Sequence, residues 1–222
     1  EYIVVLANAL DLPAERISVE HVADRVWERE WLKDFHSMRF GRRLWIVPSH
    51  EQPPADPDSV CVSLDPGLAF GTGTHPSTAL CLTWLDSRLP PDAEVIDYGC
   101  GSGVLAIAAA RLGARRAQAF DIDPQALIAT RDNAGMNSVE HIVHVHESAG
   151  TLRAPVDVVL ANILAGTLVE LAPKLCALLR PGGQVVLAGI LKQQVHEVRA
   201  GFAPWIDLAV FAERDGWSAL SG

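Results

Sequence analysis

Residues 95–112 read VIDYGCGSGVLAIAAARL, and this stretch decides the fold. Val95–Asp97 predicts a short buried strand, and the apolar spacing over Gly103–Leu112 predicts a helix. Three alternate glycines lie between them, and glycine lets a backbone turn sharply and approach a ligand beside the unpaired amides of a helix start. The pattern indicates a nucleoside-binding corner, although a purely structural turn is equally consistent with it. Its spacing, G-x-G-x-G, differs from the G-x-G-x-x-G of dinucleotide-binding proteins.

Strands and helices alternate along the rest of the chain. Apolar periodicity predicts a helix over Thr167–Leu179, and Glu213–Gly216 reads as the turn of a closing hairpin. The predicted strands after the first are Ala117–Asp121, Val143–Val145, Val156–Ala161, Val185–Ala188, Leu208–Ala212 and Trp217–Leu220. Such alternation predicts an α/β fold with a doubly wound, mostly parallel, seven-stranded sheet and an antiparallel edge strand.

An acidic residue follows the second strand of this series. Asp121 lies some twenty residues beyond the glycine turn, where a carboxylate can accept hydrogen bonds from both ribose hydroxyls of a nucleoside ligand. Asp123 precedes Pro124, so it reads as the N-cap of the next helix. Both NAD and S-adenosylmethionine suit the carboxylate, which leaves the cofactor class open at this point.

Two further segments carry chemistry-bearing residues. Asn162 ends the fourth strand, where it can accept a hydrogen bond from an amine, although an isolated asparagine there is commonly only a turn residue. The stretch Leu64–Thr78 is rich in glycine and hydroxyl residues and suggests a cap that excludes water from the site. Within it, His75 is a candidate base, but its place before Pro76 favours a structural role.

Composition narrows the remaining possibilities. The chain has 222 residues, 49% apolar and 20% charged, with no apolar run long enough to span a membrane. Its four cysteines are scattered without metal-ligand spacing, which predicts reduced thiols, no metal site and a cytoplasmic location. The net charge of −9 argues against avid nucleic-acid binding and is compatible with a basic protein as partner.

Four segments together resemble the bacterial ribosomal protein L11 methyltransferases. They are Trp27–Trp31, Leu64–Thr78, Val95–Gly103 and Asn162–Ala165. The resemblance implies a class I fold and transfer of methyl groups from S-adenosylmethionine to amino groups, on lysine side chains and the N-terminus, of that basic ribosomal protein. The implied reaction requires neither direct contact with nucleic acid nor a membrane.

The resemblance also implies roles for individual residues. Thr78 would contact the cofactor from the preceding loop and helix, and the backbone of Gly99 would pass along its methionine part. Asp121 would hold the ribose. Asn162 would lie beside the methyl donor and orient the acceptor amine, while no general base is indicated. Asn-Ile-Leu replaces the Asn-Pro-Pro-Tyr of many amine methyltransferases, and the missing aromatic residue favours a protein amine over an adenine.

The expected organisation has three parts. Residues 1–24 are interpreted as the remnant of an N-terminal substrate-recognition domain, 25–57 as a linker helix and loop, and 58–222 as the S-adenosylmethionine-binding domain. The alternatives are a class I methyltransferase acting on another protein, a nucleic acid or a small-molecule amine, a nicotinamide oxidoreductase, and a non-catalytic nucleoside-binding module.

Overall fold

Short apolar strands alternating with helices build the computed structural model, which describes residues 35–65 and 74–222. The strands are β1 (Met38–Phe40), β2 (Leu44–Val47), β3 (Val60–Ser63), β4 (Glu94–Tyr98), β5 (Arg116–Phe120), β6 (Val143–His146), β7 (Val156–Asn162), β8 (Leu179–Leu191), β9 (Ala209–Arg214) and β10 (Trp217–Ser221). The α-helices are α1 (Pro76–Arg88), α2 (Val104–Arg111), α3 (Pro124–Met136), α4 (Ala165–Ala177) and α5 (Val195–Phe202). Single 3₁₀ turns form at Ala149–Thr151 and Lys192–Gln194.

The central sheet has seven strands in the order β6-β5-β4-β7-β8-β10-β9. Strands β4 to β8 pair in parallel, and β10 pairs antiparallel with both β8 and β9. The predicted seven-stranded, mostly parallel sheet is therefore confirmed. Its antiparallel strand, β10, lies one place in from the edge, because the closing hairpin folds back so that β9 forms the rim.

The strand order reverses between β4 and β7, which is where an open α/β sheet forms its binding crevice. The glycine turn follows β4, Asp121 follows β5, and Asn162 ends β7. Because these strands run in parallel, all three segments emerge at the same edge of the sheet. The topology thus brings together residues that are up to 63 positions apart (Gly99 and Asn162) in the sequence.

Helices pack against both faces of the sheet. Val95 packs into a core with helices α1 and α2 that contains the fully buried Trp84, whereas its neighbour Ile96 packs into the opposite core with Leu168 and Phe202. This alternation follows from the two-residue period of a strand, which buries the central strands on both faces. No helix in the described parts of the chain is long and apolar enough to cross a membrane.

The interpretation of residues 25–57 as a linker helix and loop is corrected where the structure describes them. Strands β1 and β2 form a separate three-stranded sheet with β3, in which β1 and β2 are antiparallel and β2 and β3 parallel. The core that also contains α1 buries Phe40, Leu44 and Ile46. These apolar residues therefore pack into the core and do not form a linker. Residues 35–222 form one compact unit. The interpretation of residues 1–24, and the part of the linker interpretation that falls on residues 25–34, concern residues outside the described ones.

One other boundary differs from the sequence-based expectation. Helix α4 ends at Ala177, and β8 begins at Leu179, which pairs with Val156 before the Pro181–Gly183 turn. The register then shifts between Val156 and Val158, so the turn interrupts a strand that has already started.

A buried carboxylate ties the small sheet to α1. The Asp86 side chain is only 1% exposed and accepts hydrogen bonds from the backbone amides of Arg42, Arg43 and Leu44, at 2.5, 3.1 and 3.1 Å. The amides of Arg42 and Arg43 belong to the turn that joins β1 to β2, and the amide of Leu44 is the first of β2. The carboxylate therefore satisfies donors that the turn itself leaves unpaired.

Replacing Asp86 by alanine should lower the free energy of unfolding by about 2–3 kcal/mol, because three amides lose a charged acceptor. Urea denaturation measures this change. Asp132→Ala removes an exposed carboxylate from α3 and should alter stability by no more than about 0.5 kcal/mol. Equal effects of the two substitutions would contradict the anchoring role of Asp86.

Candidate active site

The glycine turn after β4 is held by the end of β5. The amides of Gly99 and Cys100 both donate to the carbonyl of Phe120, at 2.8 and 3.0 Å. The amide of Gly101 donates to Oδ2 of Asp121 at 2.9 Å. Asp121 therefore both lies beside the turn and stabilises it. These hydrogen bonds hold two of the predicted site residues, Gly99 and Asp121, close together.

Helix α3 clamps the other side of the turn. Thr130 is fully buried, and its hydroxyl donates to the carbonyl of Gly101 at 3.0 Å. The side-chain amide of Asn133 donates to the carbonyl of Ser102 at 2.9 Å. Sequence reasoning missed both residues. The available signal is their three-residue spacing, which places two polar side chains on one face of a helix.

The segment after β5 presents a polar and an apolar group side by side. Oδ1 of Asp121 accepts a hydrogen bond from the amide of Asp123 at 3.0 Å, and Asp123 caps α3 by accepting from Gln125 at 2.9 Å, as predicted. Between them, Ile122 is 90% exposed. A carboxylate for hydroxyl groups beside an open apolar surface suits a ligand with a sugar and a flat base.

Asn162 and Thr78 meet across the sheet edge. The side-chain amide of Asn162 donates to the hydroxyl of Thr78 at 3.1 Å, although the two residues are 84 positions apart. Thr78 is 1% exposed and lies in the first turn of α1, whereas Asn162 is half-buried. The hydrogen bond orients the asparagine and leaves its carbonyl oxygen as an acceptor.

Ile163 lies between two glycines. A Cβ atom on Gly99, which has φ of +83°, would lie 2.5 Å from Cγ2 of Ile163. A Cβ atom on Gly189, which has φ of +79°, would overlap the backbone carbonyl of Ile163. Gly189 belongs to a β-bulge of β8, because Leu187 and Ile190 pair with Leu220 and Ser218 of β10. Only glycine permits this approach on either side.

The sheet order and this geometry agree with a family match over nearly the whole chain. The model of the family described as "Ribosomal protein L11 methyltransferase (PrmA)" matches residues 3–222. The chain belongs to the ribosomal protein L11 methyltransferase family. As a member of it, the chain is an S-adenosylmethionine-dependent protein methyltransferase.

Individual relatives are similar over most of the chain. A ribosomal protein L11 methyltransferase of Pseudomonas aeruginosa (strain LESB58) is 56% identical over 213 residues, which cover 96% of this chain and 71% of the relative. One from Hahella chejuensis (strain KCTC 2396) is 53% identical over 211 residues, covering 95% and 72%. The crystal structure of a ribosomal protein L11 methylase from Lactobacillus delbrueckii subsp. bulgaricus superimposes with a TM-score of 0.76 at 32% identity, covering 84% of this chain and 97% of that one.

The site of this methyltransferase fits S-adenosylmethionine. A carboxylate and an exposed apolar side chain follow β5, and a turn with three glycines follows β4. Oδ1 of Asp97 is buried with no hydrogen-bond partner among the described residues, and a bound donor would satisfy it. Within residues 35–65 and 74–222, no group of three or more His, Cys, Asp or Glu side chains is arranged to hold a metal ion.

His75 has a structural role at the start of α1. His75 caps α1 by accepting from the amide of Ser77 at 3.3 Å, and its ring lies 4.6 Å from the ring of Trp217. This agrees with the structural interpretation of His75. The cysteines Cys61, Cys81, Cys100 and Cys176 are all free, as predicted. Residues 66–73 of the expected cap lie outside the described residues.

Asp97 carries a buried carboxyl group beneath the glycine turn. Its Oδ2 accepts from the amide of Ala106 in α2 at 3.1 Å. Burial, reinforced by the negative charge of Asp121, raises the pKa of Asp97 from 3.8 to about 7. Because an unfolded chain binds fewer protons than the folded one between these values, this group makes the protein less stable as the pH rises from about 4 to about 7.

Asp97→Asn should remove this pH dependence, since the amide keeps the shape and an acceptor but does not ionise. We expect the variant to gain at least about 1 kcal/mol over the parent on going from about pH 5 to about pH 8. Urea denaturation at both pH values measures the difference, with Asp132→Asn as the exposed control. An unchanged pH profile would show that Asp97 is not buried with a raised pKa.

Proposed function

We propose that this methyltransferase transfers methyl groups from S-adenosylmethionine to lysine side chains and the N-terminal amine of ribosomal protein L11, in the cytoplasm and without direct help from nucleic acid. The observation that carries the proposal is the hydrogen bond from Asn162 to Thr78, which turns an asparagine carbonyl into a fixed acceptor at the binding edge. The names of the relatives support the choice of acceptor protein.

The cofactor half of the proposed site comprises the residues around the glycine turn. The Asp121 carboxylate would hold the ribose hydroxyls, Ile122 would pack against the base, and the backbone at Gly99 would pass along the methionine part. S-adenosylmethionine supplies an electrophilic methyl group on a positively charged sulfur. Thr78, buried and bonded to Asn162, would line the pocket from α1.

The acceptor half depends on presenting a neutral amine. The unperturbed pKa is near 10.4 for a lysine side chain and near 8 for an α-amine. The neutral amine, which is the attacking form, is therefore scarce for lysine at neutral pH. Desolvation in a covered site favours the uncharged amine, and the carbonyl of Asn162 would accept one of its N–H groups and aim its lone pair. Leu164, two residues after Asn162 and 75% exposed, offers apolar surface to a lysine stem.

Charge supports a basic protein as the acceptor. The chain carries a net charge of −9, which attracts a basic partner over long range and accelerates encounter at low salt. The same charge disfavours avid binding to a nucleic-acid backbone. This argument concerns encounter, whereas the selection of individual amines rests with the site.

The direct test supplies labelled S-adenosylmethionine with purified ribosomal protein L11, an unrelated basic ribosomal protein, ribosomal RNA or buffer. We expect label on L11 alone, and mass spectrometry should locate it on lysine side chains and the N-terminal amine. Label on RNA or equally on the unrelated protein would overturn the proposed acceptor. Label on other L11 side chains would overturn only the amine assignment.

Two substitutions should separate the halves of the site. Asn162→Ala should lower kcat about 100-fold through misplacement of the amine, with cofactor Kd nearly unchanged. Asp121→Ala should instead raise the cofactor Kd at least about tenfold, because a charged acceptor is lost. Calorimetry and steady-state kinetics measure both, with Asp132→Ala as the control. Equal losses of both parameters in Asn162→Ala, or unchanged affinity in Asp121→Ala, would refute the respective role.

A further inference from the structure

One face of the sheet near its β6 edge carries basic side chains instead of an apolar core. On β5, Ala117 and Ala119 pack into the core that contains α2, so Arg116 and Gln118 face the opposite way. Gln118 pairs with His144 in the register between β5 and β6, and His146 follows two residues later on the same face. Successive polar side chains thus point to the same side of two adjacent strands.

This face has no helix over it within the described residues. The connection from β6 to β7 contains only the 3₁₀ turn Ala149–Thr151, whereas α4 and α5 pack against the core on the β7 and β8 side. A cavity of about 130 Å³ remains. Its lining consists of Arg116, Gln118, His144, His146 and Arg153.

The cavity is held in shape by Gln118, which is 1% exposed. Its amide nitrogen donates to the carbonyl of Arg153 at 2.8 Å, and its amide oxygen accepts from the amide of Arg153 at 2.7 Å. This pair of hydrogen bonds fixes the backbone that carries the Arg153 side chain. One guanidinium therefore approaches from a loop and the other, on Arg116, from the sheet.

Among the described residues, no carboxylate is paired with the arginines of this cluster. In the described part of the chain neither Arg116 nor Arg153 forms an ion pair, and the nearby Glu147 is bonded to Arg131 at 3.1 Å. Nδ1 of His146 bonds to the hydroxyl of Thr151 at 3.0 Å, and this hydroxyl donates to the carbonyl of Ser148 at 2.8 Å, so Nδ1 carries the proton of the neutral ring. The Nε2 atom of the ring is buried with no partner among the described residues. Two guanidinium groups that form no ion pair among the described residues line one cavity, which suits an anionic ligand.

The positive charges of the arginines affect the pKa values of the two histidines. Burial, followed by the charges of Arg116 and Arg153, lowers the pKa of His144, and burial, His144 and the same arginines lower the pKa of His146. All four side chains line the same cavity, which agrees with an effect of the guanidinium groups on the rings. Glu147, held by Arg131, and Glu140 are the acidic groups at this edge. An anion bound among the four side chains would oppose the lowering.

We propose that Arg116, His144, His146 and Arg153 form a phosphate-binding site, separate from the methyl-transfer site, that accepts either a free phosphate ion or one phosphodiester group of an RNA strand. Arginine side chains present paired N–H donors that match phosphate oxygens. The Nε2 atom of His146 becomes a further donor when a bound anion favours the protonated ring. The proposal does not depend on which protein is methylated.

The test titrates the full chain with inorganic phosphate and, separately, with a short oligouridylate, at constant ionic strength set with sodium chloride. The ring resonances of His144 and His146 in NMR spectra report binding without reference to methyl transfer. We expect saturable shifts with at least one ligand. Shifts with phosphate identify the free ion as sufficient, whereas cluster-dependent shifts with oligouridylate alone identify the strand.

Variants make the assignment specific. Arg116→Gln with Arg153→Gln should weaken binding at least about tenfold, and Arg116→Lys with Arg153→Lys should weaken it less, because charge is kept but the paired donors are lost. Arg42→Gln with Arg214→Gln removes the same charge from exposed positions and should bind like the parent. Absence of saturable shifts with both ligands, or equal binding by the two glutamine variants, would overturn the site. If the glutamine variant fails to fold, the lysine variant still tests the site.

Discussion

The absence of a side chain at Gly99 is the constraint on which the site depends. Ile163 occupies the space that a Cβ atom at residue 99 would need, and on its other side its carbonyl lies against Gly189 in the bulge of β8. These two close approaches set the path of the chain as it leaves β7. Asn162, one residue earlier, is thereby placed where it bonds to Thr78 of α1. The topology brings β4 and β7 together, and glycine lets their ends come close.

The two halves of the site are built with different degrees of local support. Around the glycine turn, hydrogen bonds from Thr130 and Asn133 and to Asp121 fix the backbone, which suits the recognition of one invariant cofactor. The acceptor side has the hydrogen bond between Asn162 and Thr78 and exposed apolar surface at Leu164. The cluster of Arg116, His144, His146 and Arg153 on β5, β6 and the following loop is a third polar region. Its proposed phosphate binding takes no part in methyl transfer.

The sequence predicts the fold well where apolar periodicity is regular. From Val95 onward the strands, the hairpin and the Asp123 cap are confirmed, because buried parallel strands and helix caps leave local patterns. Strands β1 and β2 were missed, since each has only three or four residues and their burial depends on α1, some forty residues later. The contacts of Thr130 with the glycine turn and of Ile163 with Gly189 join segments that are distant in the sequence, so local patterns do not reveal them. The basic cluster likewise forms only through the register between β5 and β6. The roles of Thr78, Gly99, Asp121 and Asn162 in binding remain predictions, although the structure places them at one edge.

The central claim is that Gly99 makes room for Ile163 and so sets the site. The most direct measurement is calorimetric S-adenosylmethionine affinity for Gly99→Ala, Ile163→Ala and the double variant. We predict at least about a tenfold loss of affinity for Gly99→Ala. The double variant should recover only part of it, because removing the isoleucine relieves the overlap while the φ of +83° remains unfavourable for alanine. Affinity of Gly99→Ala equal to that of the parent, or a double variant as weak as Gly99→Ala, would contradict the account.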